Sequence, residues 1–132
     1  MENKDIRWRQ RFQNMEKAVH YLEQAINIKN PDITQKAGII QFFEMSFELA
    51  WNTMKDYLEE QGYIDVKTPH SAIKKGFEMN LINNNHWNEL FAFNTMVPYS
   101  YDEKALTMSE ELIRFTYYPL LMNFYHSMKE KK

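Results

Sequence analysis

Apolar residues recur every three or four positions through most of this chain. Trp8, Phe12, Met15, Val19, Leu22 and Ile26 follow one another at +4, +3, +4, +3, +4. That spacing holds them on one face of an amphipathic helix, expected from about Asp5 to Lys29. Arg9, Gln13, Glu16, Lys17 and Gln24 take the other face. Pro31 in "NPDIT" ends the pattern, because proline lacks an N–H and restricts Asn30 before it. A second helix is expected from about Asp32 to Gln61, with Gly62 as its C-cap. Ile40, Phe43, Phe47, Ala50, Met54 and Tyr57 form one apolar stripe on it, and Ile39, Phe42, Met45 and Leu49 widen that stripe. A helix so apolar is either central in the fold or covered on its second side by another subunit.

The rest of the chain is punctuated by caps. Thr68 and Pro69 read as N-cap and N1 of a short helix reaching about Met79. Asn84 or Asn85 can cap a further helix through His86 to about Met96, which Pro98 stops. Asp102 is a good N-cap for the last helix, and the charge of Glu103 suits its first turn. That helix passes through Leu106, Ser109, Ile113, Tyr117, Leu120 and Phe124 to about Met128. Pro119 is expected to kink it or force a local rearrangement. No alternating strand pattern and no repeat interrupts this sequence. The expectation is an all-α fold: an antiparallel up-and-down four-helix bundle with a short extra helix, in a single domain over residues 1–132.

Composition narrows the function more than the fold. A length of 132 residues is enough for a core without disulfides or metals. The net charge of −2 gives no field that implies nucleic acid. The absence of cysteine excludes disulfide, thiol and Cys-metal chemistry and fits a reducing cytosol. No apolar run approaches the ~18 residues that suggest a spanning helix, and the polar start "MENKDIRWRQRF" does not resemble a signal peptide. A cytoplasmic protein with no membrane role is expected. Nine Met, nine Phe, eight Tyr and three Trp are generous for this length, which points to a partner surface.

Candidate chemistry is sparse. Glu44 and Glu48 stand i,i+4 on the second helix in "FFEMSFELAW", and Trp51 and Lys55 continue their face. They read either as a ligand-facing carboxylate pair or as a solvated stripe. The histidines His20, His70, His86 and His126 lack metal-ligand spacing, so no metal and no cofactor are expected. The basic groups of "RWRQR" and Lys74–Lys75 read as solvated faces. "NTMVPYSYDE" places Tyr99, Ser100, Tyr101, Asp102 and Glu103 at the start of the last helix. A helix start presents free N–H groups that suit a phosphate, and tyrosines can stack on bases. A capped turn with packed tyrosines explains the same residues equally well.

"IIQFFEMSFELAWNTMKDYLEEQGY", "TPHSAIKKGFEMNLI", Trp87 and "YSYDEKA" together resemble the nucleotidyltransferase substrate-binding protein family, which is related to the HepT toxins. The likeness runs from about Phe12 into the last helix and is most specific in the second helix. It implies a four-helix bundle that forms homodimers in a bacterial or archaeal cytoplasm, encoded beside a small nucleotidyltransferase. Nucleotide binding and transfer would belong to that partner, and this chain would be its non-catalytic substrate-binding subunit, possible toxin–antitoxin pairing included. In the HepT branch the bundle protein is a ribonuclease carrying R-x4–6-H-x-Y, silenced by AMP transfer to the motif tyrosine. Here Asn94 stands where that arginine is expected and Tyr99 where the histidine is expected, whereas Tyr101, Asp102 and Glu103 match. Asparagine carries no charge to hold an anion, and tyrosine titrates near ~10, too high to shuttle a proton at neutral pH. The resemblance thus implies a substrate- or partner-binding surface from Glu44, Glu48, Trp51, Asn94, Tyr99, Tyr101 and Asp102. Tyr101 is the candidate nucleotidyl acceptor. The alternative is a HepT-like ribonuclease acting on RNA and inactivated by AMP transfer to Tyr101.

Overall fold

The computed structural model describes residues 2–83, 86–96 and 102–132, with side chains from residue 7 onward. Its helices are α1 (Glu2–Ile26), α2 (Ile33–Glu60), α3 (Pro69–Glu78), α4 (Trp87–Met96), α5 (Glu103–Leu112) and α6 (Tyr118–Lys131). A π-helical segment, Ile113–Tyr117, joins α5 to α6 without a break. No strand occurs among the described residues.

Side-chain pairs fix the helix directions. Trp8 meets Tyr57 edge-on at 5.2 Å and Tyr21 stacks on Phe42 at 5.7 Å, so α1 and α2 run antiparallel. Phe12 stacks on Tyr125 at 5.4 Å, while Arg114 donates to the carbonyl of Ile26. The last helix therefore also runs against α1. Lys36 Nζ donates to Thr107 Oγ1 at 2.9 Å and Phe43 lies 6.3 Å from Tyr117, so α2 and the last helix share a direction. Phe47 meets Trp87 and Phe43 meets Phe93, which sets α4 against α2.

The apolar stripes land as their spacing requires. Trp8, Phe12, Met15, Val19 and Leu22 are buried, and Ile26 packs at the core's edge. On α2, Ile39, Ile40, Phe43, Phe47, Ala50, Met54 and Leu58 are buried. Of the two explanations for the wide apolar face of α2, the described chain supplies centrality: α2 packs against all five other helices. Two buried hydroxyls on it, Ser46 and Thr53, bond back to the carbonyls of Phe42 and Leu49 and so bring no unpaired donor into the core.

Local chemistry sets the ends. Asp32 and Thr68 each form a reciprocal capping box, with Gln35 and Ser71. After α2, Gly62 adopts φ 102°, and the N–H groups of Gly62 and Tyr63 return to the carbonyls of Glu59 and Leu58. That is a Schellman motif with Gly62 just past the cap residue Gln61, which places the expected glycine at the left-handed position. Asn80 does the same for α3 at φ 62°. α1 stops at Ile26, earlier than its polar run suggests, and Asn30 turns the chain at φ 50°. Pro119 has no N–H for the carbonyl of Phe115, and its ring would crowd that carbonyl. The turn widens instead, so that Tyr118 N–H reaches Ile113 O five residues back. The expected disturbance is thus a π segment inside one continuous rod.

α1 and α2 also share a charged contact that periodicity does not reveal. Asp56, 1% exposed, faces the α1 side of α2. Arg11 Nε lies 2.9 Å from its Oδ2 and Lys55 Nζ 3.4 Å from its Oδ1. Neither contact has hydrogen-bond geometry, so the carboxylate is compensated by charge. Removing one side of such a buried arrangement costs more than forming it contributes.

α3 approaches α2 closely because Gly76 has no side chain. A Cβ there would stand 2.3 Å from Met54 Sδ, and Met54 is fully buried. Gly76→Ala is expected to destabilise the protein by about 1–3 kcal/mol, the usual range for overpacking. Urea unfolding followed by circular dichroism measures it, and an unchanged midpoint would refute the close approach.

Candidate functional site

The α2 candidates form a small, partly ordered cluster. Trp51 Nε1 donates to Glu48 Oε2 at 2.6 Å, and Asn52 Nδ2 donates to the Glu48 carbonyl at 2.8 Å. The indole thereby fixes one exposed carboxylate, a pairing that the i,i+3 spacing makes available on a helix. Glu44, one turn earlier, is half-buried and has no hydrogen bond or ion pair among the described residues. Burial pushes its carboxyl above the usual carboxylate range. Lys55, which shares this face by spacing, turns to Asp56 instead. The surface thus presents one oriented carboxylate and one carboxylate held without a counter-cation.

The other described candidates stand on α4 and at the start of α5. Asp102 caps α5, accepting from Ala105 N at 2.7 Å, as its sequence context predicts. Asn94, on α4, is partly buried, and its Oδ1 is enclosed without a hydrogen-bond partner. Tyr99 and Tyr101 lie outside the described residues. No hydrogen bond or ion pair joins Asn94 or Asp102 to Glu44, Glu48 or Trp51 among the described residues. The Lys36–Thr107 bond puts Asp102, five residues before Thr107, near the start of α2. Glu44 is eight residues beyond Lys36, so roughly 20 Å of helix separates it from Asp102. Asp102 therefore stands at a different height along α2 from Glu44, whereas Phe93, next to Asn94, packs on Phe43 beside Glu44.

The described residues thus form an all-helical chain with one exposed, oriented carboxylate and one half-buried, unpaired carboxylate on α2. A family model described as "nucleotidyltransferase substrate binding protein like" matches residues 10–130. The chain belongs to that family. No curated protein sequence matches it. The match reaches into every described helix of this nucleotidyltransferase substrate binding protein like chain and includes all the candidate residues. No described helix is long and apolar enough to cross a membrane.

Other polar groups escaped sequence reasoning because their partners are distant in the chain. Glu16 accepts from Tyr125 Oη at 2.9 Å and lies 3.4 Å from Lys132 Nζ. Burial alone would raise the Glu16 carboxyl. Those hydrogen bonds and the charges of Lys132 and Lys129 bring it below the usual range. Tyr125 is pushed up to about 12 by burial, with Glu16 and Glu23 adding to the shift. The histidines have local roles: His20 bonds Gln24, His70 bonds Asn88, and His86 lies 3.2 Å from Glu89. No group of three or more His, Asp or Glu is arranged to hold a metal among the described residues.

The raised Glu44 carboxyl has a definite consequence for stability. The folded state favours its protonated form, so the benefit is full below the unfolded carboxylate range and is lost as pH rises through the folded value. Glu44→Gln removes the burden of a buried charge. The variant is expected to melt above the parent at pH 7, with the difference vanishing as pH falls below about 4. Thermal melts across that range test this, and a variant that melts lower at pH 7 would overturn the reading of Glu44 as a destabilising charge.

Proposed function

We propose that this protein is the non-catalytic substrate-binding subunit of a small nucleotidyltransferase encoded beside it in a bacterial or archaeal genome, acting in the cytoplasm. The observation that carries the reading is the family match over residues 10–130. Nucleotide binding and transfer are assigned to the partner. The face of α2 around Glu44, Glu48 and Trp51 is assigned to partner or substrate contact. Glu48 arrives there already oriented by Trp51, so little side-chain freedom is lost on binding. Glu44 offers a carboxylate that a cationic group of the partner or substrate would relieve.

We further infer a four-helix up-and-down arrangement, with α3 and α4 together standing for the third helix, and a homodimer. Met108, Leu112 and Phe115 support the dimer, being 57%, 41% and 73% exposed at +4 and +3 on the last helix. Tyr101, beside the cap residue Asp102, is the proposed acceptor of a nucleotidyl group, which would make the pair a toxin–antitoxin type system. The ribonuclease reading gains nothing from Asn94. Its side chain is uncharged, so it lacks the positive charge that an arginine would set against an anion.

Co-expression with the nucleotidyltransferase encoded next door tests this. A co-purifying complex with two copies of this chain by light scattering is expected. Glu48→Ala is expected to weaken the complex about tenfold, the scale of one interface hot spot. Incubation of the complex with ATP is expected to add one AMP at Tyr101, seen by peptide mass spectrometry. Absence of a complex at micromolar concentrations would overturn the reading, and growth arrest relieved by Tyr101→Phe would favour the nuclease instead.

A further inference from the structure

α1 and α6 face one another with matching polar stripes. Gln13, Glu16, Lys17 and His20 stand at i, i+3, i+4 and i+7 on α1, and Met122, Tyr125, His126 and Lys129 repeat that spacing on α6. At a closed helix–helix seam these positions carry interlocking apolar side chains. Here most are polar or titratable, and the seam stays open as a groove of about 720 Å³. That volume lies within the ~300–1,000 Å³ of small-molecule sites. Val19, Met122 and the ring of Tyr125 give it an apolar floor.

The charges in the groove do not cancel in place. Glu16 is engaged by Tyr125 and by Lys132, so its charge is answered locally. Lys17 has no ion pair among the described residues, and Lys129 Nζ lies over the Tyr125 ring at 5.7 Å, with its charge also acting on Glu16. Three ammonium groups, Lys17, Lys129 and Lys132, thus line the groove against two carboxylates, Glu16 and Glu23, which leaves one positive charge in excess. His20 and His126 add ring N–H groups on opposite walls. An ammonium ligand would meet like charge, and a wholly apolar one would leave the lysines without a partner. A dianion accepts from Lys17, from Lys129 and from a ring N–H at once, in charge-assisted bonds.

We propose that the α1–α6 groove binds a phosphomonoester carrying an apolar or aromatic body. The phosphate sits between Lys17 and Lys129, and the body lies on Val19, Met122 and Tyr125. This site is on a different face from the Glu44–Trp51 surface and needs no partner enzyme.

The test uses the whole chain alone, labelled with nitrogen-15 and titrated with AMP, with adenosine as the uncharged comparison. Saturable shifts confined to residues 13–23 of α1 and 122–132 of α6 are expected, with adenosine at least tenfold weaker. Lys17→Gln and Lys129→Gln are each expected to weaken AMP about tenfold, the loss of one charge-assisted hydrogen bond. Both lysines are exposed, so their variants keep the parent melting temperature. Absence of saturation, shifts centred elsewhere, equal affinity for adenosine, or unweakened binding by both variants would each overturn the proposal. Because no nucleotidyltransferase is present, that failure would leave the partnership to stand or fall on its own experiment.

Discussion

α2 carries Ile39, Ile40, Phe43, Phe47, Ala50, Met54 and Leu58 into the interior, and no single neighbour can cover a face that wide. Each large side chain left in water would forgo roughly 1.5–3 kcal/mol of burial. The rest of the fold follows from meeting that demand. α1 and the last helix lie along α2, and two ten-residue helices, α3 and α4, cover what remains. Gly76 lets α3 settle against Met54, and Phe93 and Trp87 bring α4 onto Phe43 and Phe47. The side of α2 that stays open is consequently narrow. It holds Gln41, Glu48 and the exposed Met45, with Glu44 at its margin. The candidate carboxylates are where they are because the core has claimed most of the other faces.

The last helix shows how one covalent restriction is absorbed. Pro119 cannot donate, yet Tyr117, Leu121, Phe124 and Tyr125 around it must all reach the core. A break would sacrifice that contact, and a sharp kink would swing α6 away from α1. A single widened stretch at Ile113–Tyr117 keeps the rod continuous and retains both sets of contacts. It also leaves Phe115 outward beside Leu112, so the same rearrangement shapes the exposed apolar surface of that helix.

What was legible in the sequence is what depends on neighbours within one helical turn. Thr68, Asp102 and Gly62 could be placed because a cap acts over three or four residues. The α1 stripe could be read because 3.6 residues per turn leaves no other face for Trp8 through Leu22. Glu48 with Trp51 was legible as a shared face, though not as a hydrogen bond. Lys55 was misplaced, since its attraction to the buried Asp56 outweighs its nominal position. The burial of Asp56 leaves no local signal because its compensation by Arg11 comes from another helix, 45 positions away. The α1–α6 groove was illegible for the same reason: each stripe alone is an ordinary solvated face. The distance between Asp102 and Glu44 was illegible because sequence spacing carries no information about the height of Asp102 along α2.

Those facts bear on the substrate-binding role proposed for this chain. A substrate-binding protein gains by holding its polar groups ready, since ordering side chains during binding costs about 0.5–1.5 kcal/mol each. Glu48 is held by an indole and Glu16 by a phenol, both rigid groups anchored in or beside the core. Glu44 is different: it is held without a partner and at the expense of its own ionised form. A folded chain retains such a group at a stability cost unless something else compensates it. A cation arriving from outside would do so, and it would regain in binding what the isolated fold gives up. The unpaired carboxylate is therefore the place on this surface where association and folding stability are most directly linked.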